Sequence, residues 1–81
     1  MTRRKTTRKA NPLEDEFYKK LGENIIRLRT KKNLWQRELA KNAALSRPSI
    51  VSIETGISQP KAYSVYRIAK ALDVGIEELM P

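Results

Sequence analysis

The chain is 81 residues long, 40% hydrophobic and 32% charged, with a formal net charge of +8 and neither cysteine nor histidine. That length allows one small domain burying roughly 60% of its unfolded surface. Disulfides, thiolate metal sites and a cysteine nucleophile are excluded, as are the imidazoles that commonly act as general base or metal ligand. The carboxylates are scattered without a plausible dyad and no glycine-rich phosphate loop is present. The expectation is therefore no enzyme, no catalytic residue, no cofactor and no metal. No run approaches the roughly 18 apolar residues of a membrane span, and no apolar h-region follows the basic start. A cytoplasmic or nucleoid-associated chain is expected, and its positive charge bears on partners rather than on fold.

Arg3, Arg4, Lys5, Arg8 and Lys9 supply five positive charges within TRRKTTRK. This segment has no hydrophobic period and repels itself, which predicts a basic flexible arm over residues 1–11. Such an arm can lie along phosphates or in a groove, or can serve only as a solubilising tail. Asn11-Pro12-Leu13-Glu14 opens the ordered domain, expected over residues 12–81. Asn11 can N-cap, Pro12 suits the first helical position, and Glu14 completes a variant capping box.

The first helix is predicted from residue 12 to 31 or 32. Leu13, Phe17, Leu21, Ile25 and Leu28 keep helical spacing along one face, with Arg29 on its edge. Gly22 costs about 1 kcal/mol against alanine in a helix interior, which predicts another backbone passing close by. Lys31-Lys32-Asn33 ends the helix and Leu34 turns back to the core. Trp35 is a poor N-cap for the second helix and is expected to pack against the first.

Residues 36–43 place Leu39, Ala40 and Ala43 on a narrow apolar stripe. Gln36 opens this helix, its amide able to donate to a phosphate or to steady a neighbouring side chain. Ala44-Leu45 carries the chain round a corner, Ser46 is a good N-cap, and a third helix runs from residue 47 to about 55. Gly56 is the expected stop. On a 3.6-residue wheel Ile50, Ile53 and Glu54 fall on one side, Arg47, Pro48, Val51 and Ser52 on the other, and Ser49 near the boundary. Two inward isoleucines with an outward arginine and serine suit a helix that reads a DNA groove, its N-terminal N–H groups favouring phosphate. Periodicity alone fits an ordinary amphipathic helix equally well.

After a loop at 57–60, a fourth helix is predicted over 62–72 with Val65, Ile68, Ala69 and Leu72 buried and Tyr63 and Tyr66 beside them. Residues 73–75 bend, and residues 76–80 make a last helical turn with Glu77 and Glu78 at its N-terminus. Arg29 continues the Ile25 edge of the first helix, and Glu54 continues the Ile50 edge of the third. Opposite charges on the margins of two apolar faces predict a partly buried ion pair between those helices.

The runs LGENIIRLRTKKNLWQRELA and LSRPSIVSIETG, then Pro60 and IAKALDVGIEELM, resemble the Cro/phage-repressor (XRE-like) type of helix-turn-helix domain over about three-quarters of the chain. The register of LGxxIxxLR, LA, SxxxIxxIExG and IAKALxV carries the resemblance. It implies an all-α, five-helix fold with its helix-turn-helix at about residues 36–55, the third helix entering the major groove, and a homodimer on a roughly palindromic operator. Small members include phage repressors, restriction–modification controllers and some antitoxins. Residue by residue, it implies base readout by Ser46, Arg47, Pro48, Ser49 and Ser52, backbone contacts from Gln36, Thr55 and Lys61, and a structural ion pair between Arg29 and Glu54. Arg47 suits guanine O6 and N7, a pairing worth about 1–3 kcal/mol of discrimination. Pro48 departs from the usual polar residue and points to a thymine methyl or to shape selection, as does Val51. Trp35 also departs from it, its alternative to packing being an indole N–H near the DNA backbone.

The function so implied is a sequence-specific transcriptional regulator of double-stranded DNA, with Arg3, Arg4, Lys5, Arg8 and Lys9 on phosphates and no membrane or small-molecule ligand. An antitoxin that also binds a toxin protein is the alternative, although no separate segment for the toxin is visible. Membrane-surface binding is disfavoured because the arm has no apolar residue to insert. Ile76, Leu79, Met80 and Tyr66 are the candidate dimer contacts, Ile76 and Leu79 alternatively completing the monomer core.

Overall fold

The computed structural model describes residues 11–81, in the order α1 (Pro12–Lys31), α2 (Gln36–Ala43), α3 (Arg47–Glu54), α4 (Ala62–Leu72) and a 3-10 turn at Ile76–Glu78. The expected arm residues Arg3, Arg4, Lys5, Arg8 and Lys9 lie outside the described residues. Asn11 begins the described part by capping α1, its Oδ1 accepting from the Glu14 N–H at 3.1 Å.

Each apolar stripe closes against another. α3 lies on α1, and α2 packs on both α3 and α4. Leu21, Ile25 and Leu28 of α1 meet Leu39, Ala40 and Ala43 of α2, Ile50 and Ile53 of α3, and Val65, Ile68, Ala69 and Leu72 of α4 in one core. Gly22 is where α1 and α3 touch. A Cβ there would lie 2.6 Å from the Ile53 carbonyl oxygen and nearer still to that of Glu54, so only glycine allows this approach.

Two expectations fail on reach. Four α-helices rather than five are present among the described residues. The expected fifth closes only i→i+3 bonds, Glu78 N–H to Gly75 O and Leu79 N–H to Ile76 O, both at 3.0 Å. A segment this short has no room to nucleate an α-helix. Its Leu79 is fully buried and so completes the monomer core, and its carbonyl accepts from Asn24 Nδ2 at 2.8 Å, tying the chain end to α1. Leu13 and Phe17 keep the spacing of the α1 stripe but are exposed, Leu13 by 80%. A 20-residue helix extends about 30 Å, well past the short helices packed on its C-terminal half.

Candidate nucleic-acid interface

The α2–α3 corner is fixed by local geometry and by α4. Ala44 takes the left-handed conformation at φ 57° and ψ 42°, letting the Leu45 N–H reach back to Ala40 O at 2.8 Å while the leucine side chain packs on the core. Arg67 of α4 donates from Nε to Ala43 O at 2.8 Å and from Nη2 to Ala44 O. These bonds satisfy carbonyls that a helix end leaves orphaned. The same guanidinium sits 5.2 Å over the Tyr63 ring, a cation–π contact that holds it across the corner.

α3 starts immediately after this corner. The Ser46 hydroxyl accepts from the Ser49 N–H at 3.2 Å and donates to Ser49 Oγ at 2.8 Å. Ile50 and Ile53 are 0% and 4% exposed, which fixes the roll of the helix. Ser46, Arg47 and Pro48 are consequently outside, and Ser49, Val51 and Ser52 half-buried at the edge. Pro48, Ser49 and Ser52 line one shallow groove together with Lys61. Thr55 is exposed at the far end of α3, and its hydroxyl bonds to Val51 O at 2.9 Å and Ser52 O at 3.2 Å. Its proton is thereby engaged within the helix.

Glu54, 4% exposed, anchors the other side. It accepts from Arg29 Nε at 2.6 Å, from Arg29 Nη2 at 3.2 Å and from Gln36 Nε2 at 2.9 Å. Arg29 Nη1 continues to Leu34 O at 2.8 Å. A bidentate arginine–carboxylate pair with its remaining groups satisfied is the arrangement that tolerates burial. Because Gln36 turns its NH2 to Glu54, its Oε1 faces outward and accepts from Arg47 Nη2 at 3.3 Å. A chain of bonds therefore runs from the α1–α3 ion pair to the exposed arginine.

Trp35 does not pack on α1 as expected, and is 68% exposed. Leu34 takes the core position beside it, and the Trp35 backbone is fixed by its N–H bond to Glu38 Oε1 at 2.7 Å. The indole shares a cleft with Arg29, Gln36, Arg37 and Arg47.

The Helix-turn-helix family model matches residues 25–79, a span that contains α2, the corner and α3. An uncharacterized HTH-type transcriptional regulator of Sinorhizobium fredii is 36% identical over 65 residues, covering 80% of this chain and 84% of that protein. The chain belongs to the Cro/phage-repressor type of helix-turn-helix transcriptional regulators. Among solved structures, the restriction–modification controller protein C.AhdI of Aeromonas hydrophila superposes with a TM-score of 0.77 at 32% identity, covering 78% of this chain and 96% of that one. The P22 c2 repressor, solved in complex with a synthetic operator, matches with a TM-score of 0.69 at 27% identity, covering 74% of this chain and 91% of the repressor.

In this helix-turn-helix, α2 is the supporting helix and α3 the second. The sequence pattern puts Ser46, Arg47, Pro48, Ser49 and Ser52 together, and the structure groups them along the outer edge of α3, from its N-cap Ser46 to Ser52 in its C-terminal half. Gln36 adjoins them, Lys61 meets them across the groove, and Thr55 stands apart. Arg67 and Arg37 were not singled out. The only signal for Arg67 was the general need of the α2 carbonyls for donors, and Arg37 looks like any exposed helix cation until the cleft beside Trp35 is seen.

Proposed function

We propose that the chain is a sequence-specific transcriptional regulator that binds double-stranded DNA as a homodimer on a roughly palindromic operator. One observation carries this reading. The two isoleucines of α3 are locked inward, so Arg47, Pro48, Ser49 and Ser52 form an outward edge narrow enough for a major groove. Arg47 reads guanine and Pro48 meets a thymine methyl. Ser46 and Ser49 share one hydroxyl–hydroxyl bond, which leaves one of the two protons to donate to a base edge. Gln36 keeps one N–H for a phosphate after bonding Glu54 with the other, and Lys61 supplies a cation for the backbone at the opposite rim of the groove. The basic arm with Arg3, Arg4, Lys5, Arg8 and Lys9 adds phosphate contacts.

The P22 repressor's synthetic operator and the regulators among the relatives favour the same reading. Tyr66 and Met80 are the dimer candidates that stay exposed. Two copies of α3 would then enter successive major grooves about 34 Å apart, and regulation follows from occupancy of the site.

Enrichment of random duplex DNA on the purified protein tests the proposal. A two-fold symmetric motif is expected, with half-site centres separated by about one helical turn or a multiple of it. A pool that enriches no motif would overturn it.

A further inference from the structure

The first turns of α1 stay helical although the core does not reach them. Most helices in proteins are held by packing of an apolar face, yet Leu13 is 80% exposed and Phe17, one turn on, is exposed as well. Local devices hold this stretch instead. Asn11 caps it and Pro12 opens it, Lys20 Nζ pairs with Glu16 Oε2 at 3.4 Å, and the Phe17 ring meets Tyr18 edge to face at 5.0 Å. Tyr18 in turn packs on the core, which steadies Phe17. Scattered exposed hydrophobics are ordinary, but two on one stripe of a firmly held helix present a surface to a partner.

The charges beside the stripe identify the partner that fits. On a 3.6-residue wheel Glu16 and Lys20 border Leu13 and Phe17 on the same margin. Along the axis the order is acidic, then basic: Asp15 and Glu16 precede Lys19 and Lys20, and all four are exposed. This pattern is complementary to itself when reversed. Two copies laid antiparallel about a two-fold axis bring like margins together, so Glu16 of each lies beside Lys20 of the other. Phe17 then sits next to the axis, and the aliphatic stem of Lys20 covers the opposing Leu13. A parallel pairing sets acids against acids. The exposed Glu16–Lys20 pair within one helix is worth little, so exchanging it between copies costs little.

The placement also leaves the DNA-facing edge free. Gly22 lies against Ile53 and Glu54, and Lys19 lies against Gly56, so α1 and α3 run antiparallel. Ser46 and Arg47 therefore lie toward the C-terminal end of α1, and Leu13 and Phe17 project past the opposite end.

We infer that the Leu13–Phe17 stripe, bordered by Glu16 and Lys20, is the surface through which two copies of this chain associate, α1 against α1 in antiparallel order. The inference rests on the homodimer reading above and names its contact, in place of Tyr66 and Met80. Residues 12–20 extend only about 13 Å, so the contact falls below the roughly 1,200 Å² at which stable interfaces begin. It is weak between free chains and gains when one duplex holds two copies at high effective concentration.

Sedimentation equilibrium over a concentration series measures association of the full chain. Phe17→Ser is expected to raise the dimer dissociation constant about tenfold or more, and Tyr66→Ser to leave it unchanged. Glu16→Lys and Lys20→Glu are each expected to weaken association about threefold, and the double exchange to restore it. Far-UV circular dichroism checks that each variant is folded. Because the chain has no cysteine, Phe17→Cys and Tyr66→Cys report the contact on the enriched duplex under mild oxidation, where a disulfide forms only between close, well-aligned positions. Phe17→Cys is expected to yield the covalent dimer. Dimers lost in Tyr66→Ser but kept in Phe17→Ser, with the disulfide forming at position 66, overturn this surface while the homodimer reading stands. Failure of the double exchange to restore association overturns the antiparallel order. One copy per duplex at every concentration, with no disulfide at either position, overturns the inference together with the homodimer.

Discussion

Replacing Glu54 with alanine is expected to remove much of the stability of the fold. Glu54 is 4% exposed and accepts three bonds, two from Arg29 and one from Gln36. The substitution strands the Arg29 guanidinium, whose side chain is only 16% exposed, and frees the amide that faces Arg47. Breaking a buried ion pair by removing one partner costs roughly 3–5 kcal/mol. A domain of about 70 residues has about 4–10 kcal/mol in total, so the variant should sit near its unfolding threshold at 37 °C. Urea unfolding followed by far-UV circular dichroism at 25 °C measures the loss. The double substitution Arg29→Met with Glu54→Leu should lose less than Glu54→Ala alone, since no charge is left buried. A loss below about 1 kcal/mol for Glu54→Ala would match a surface ion pair and refute the burial argument.

Gly22→Ala gains about 1 kcal/mol of helix propensity, yet its methyl would collide with the backbone of α3. A net loss of about 1–3 kcal/mol is expected in the same urea assay, and a stabilised variant would contradict the close approach. Ala44→Gly relieves the left-handed backbone at φ 57°, which costs a non-glycine residue about 1–2 kcal/mol. Glycine's greater unfolded-state entropy offsets about 0.4–1 kcal/mol of that. A rise in Tm of a few degrees is expected by calorimetry, and a fall would count against the corner geometry. Deleting residues 2–9 should flatten the dependence of log affinity on log salt, by a slope of about 0.9 for each phosphate no longer neutralised, while leaving operator preference intact. An unchanged slope would show that the arm makes no phosphate contact.

What was legible in the sequence was local. Asn11 and Pro12 marked the start of α1, and Ser46 and Gly56 bracketed α3, because caps and left-handed stops are chosen by one or two residues. The inward isoleucines followed from helical spacing, and the Arg29–Glu54 pair from that spacing together with the family resemblance. Leu13 and Phe17 misled because periodicity says which way a side chain faces, not whether a partner helix reaches that far. The corner at Ala44 and the end of α4 at Asp73 are left-handed without glycine, so no residue announced their geometry. Two roles were open to the Gln36 amide, and its bond to Glu54 was not legible because that partner lies 18 positions away. The exposure of Trp35 was hidden because Leu34, one residue earlier, takes the space a tryptophan would be expected to fill.

The most direct test is a comparison of dissociation constants for the enriched duplex and its scrambled counterpart at one physiological salt concentration, for the natural chain and for Arg47→Ala. The natural chain is expected to prefer its own site by about 10³-fold or more. Arg47→Ala is expected to lose about 1–3 kcal/mol of that discrimination at a single base pair of each half-site while the protein stays folded. Equal affinity for both duplexes, or a preference untouched by the loss of Arg47, would contradict a reading in which α3 selects the sequence.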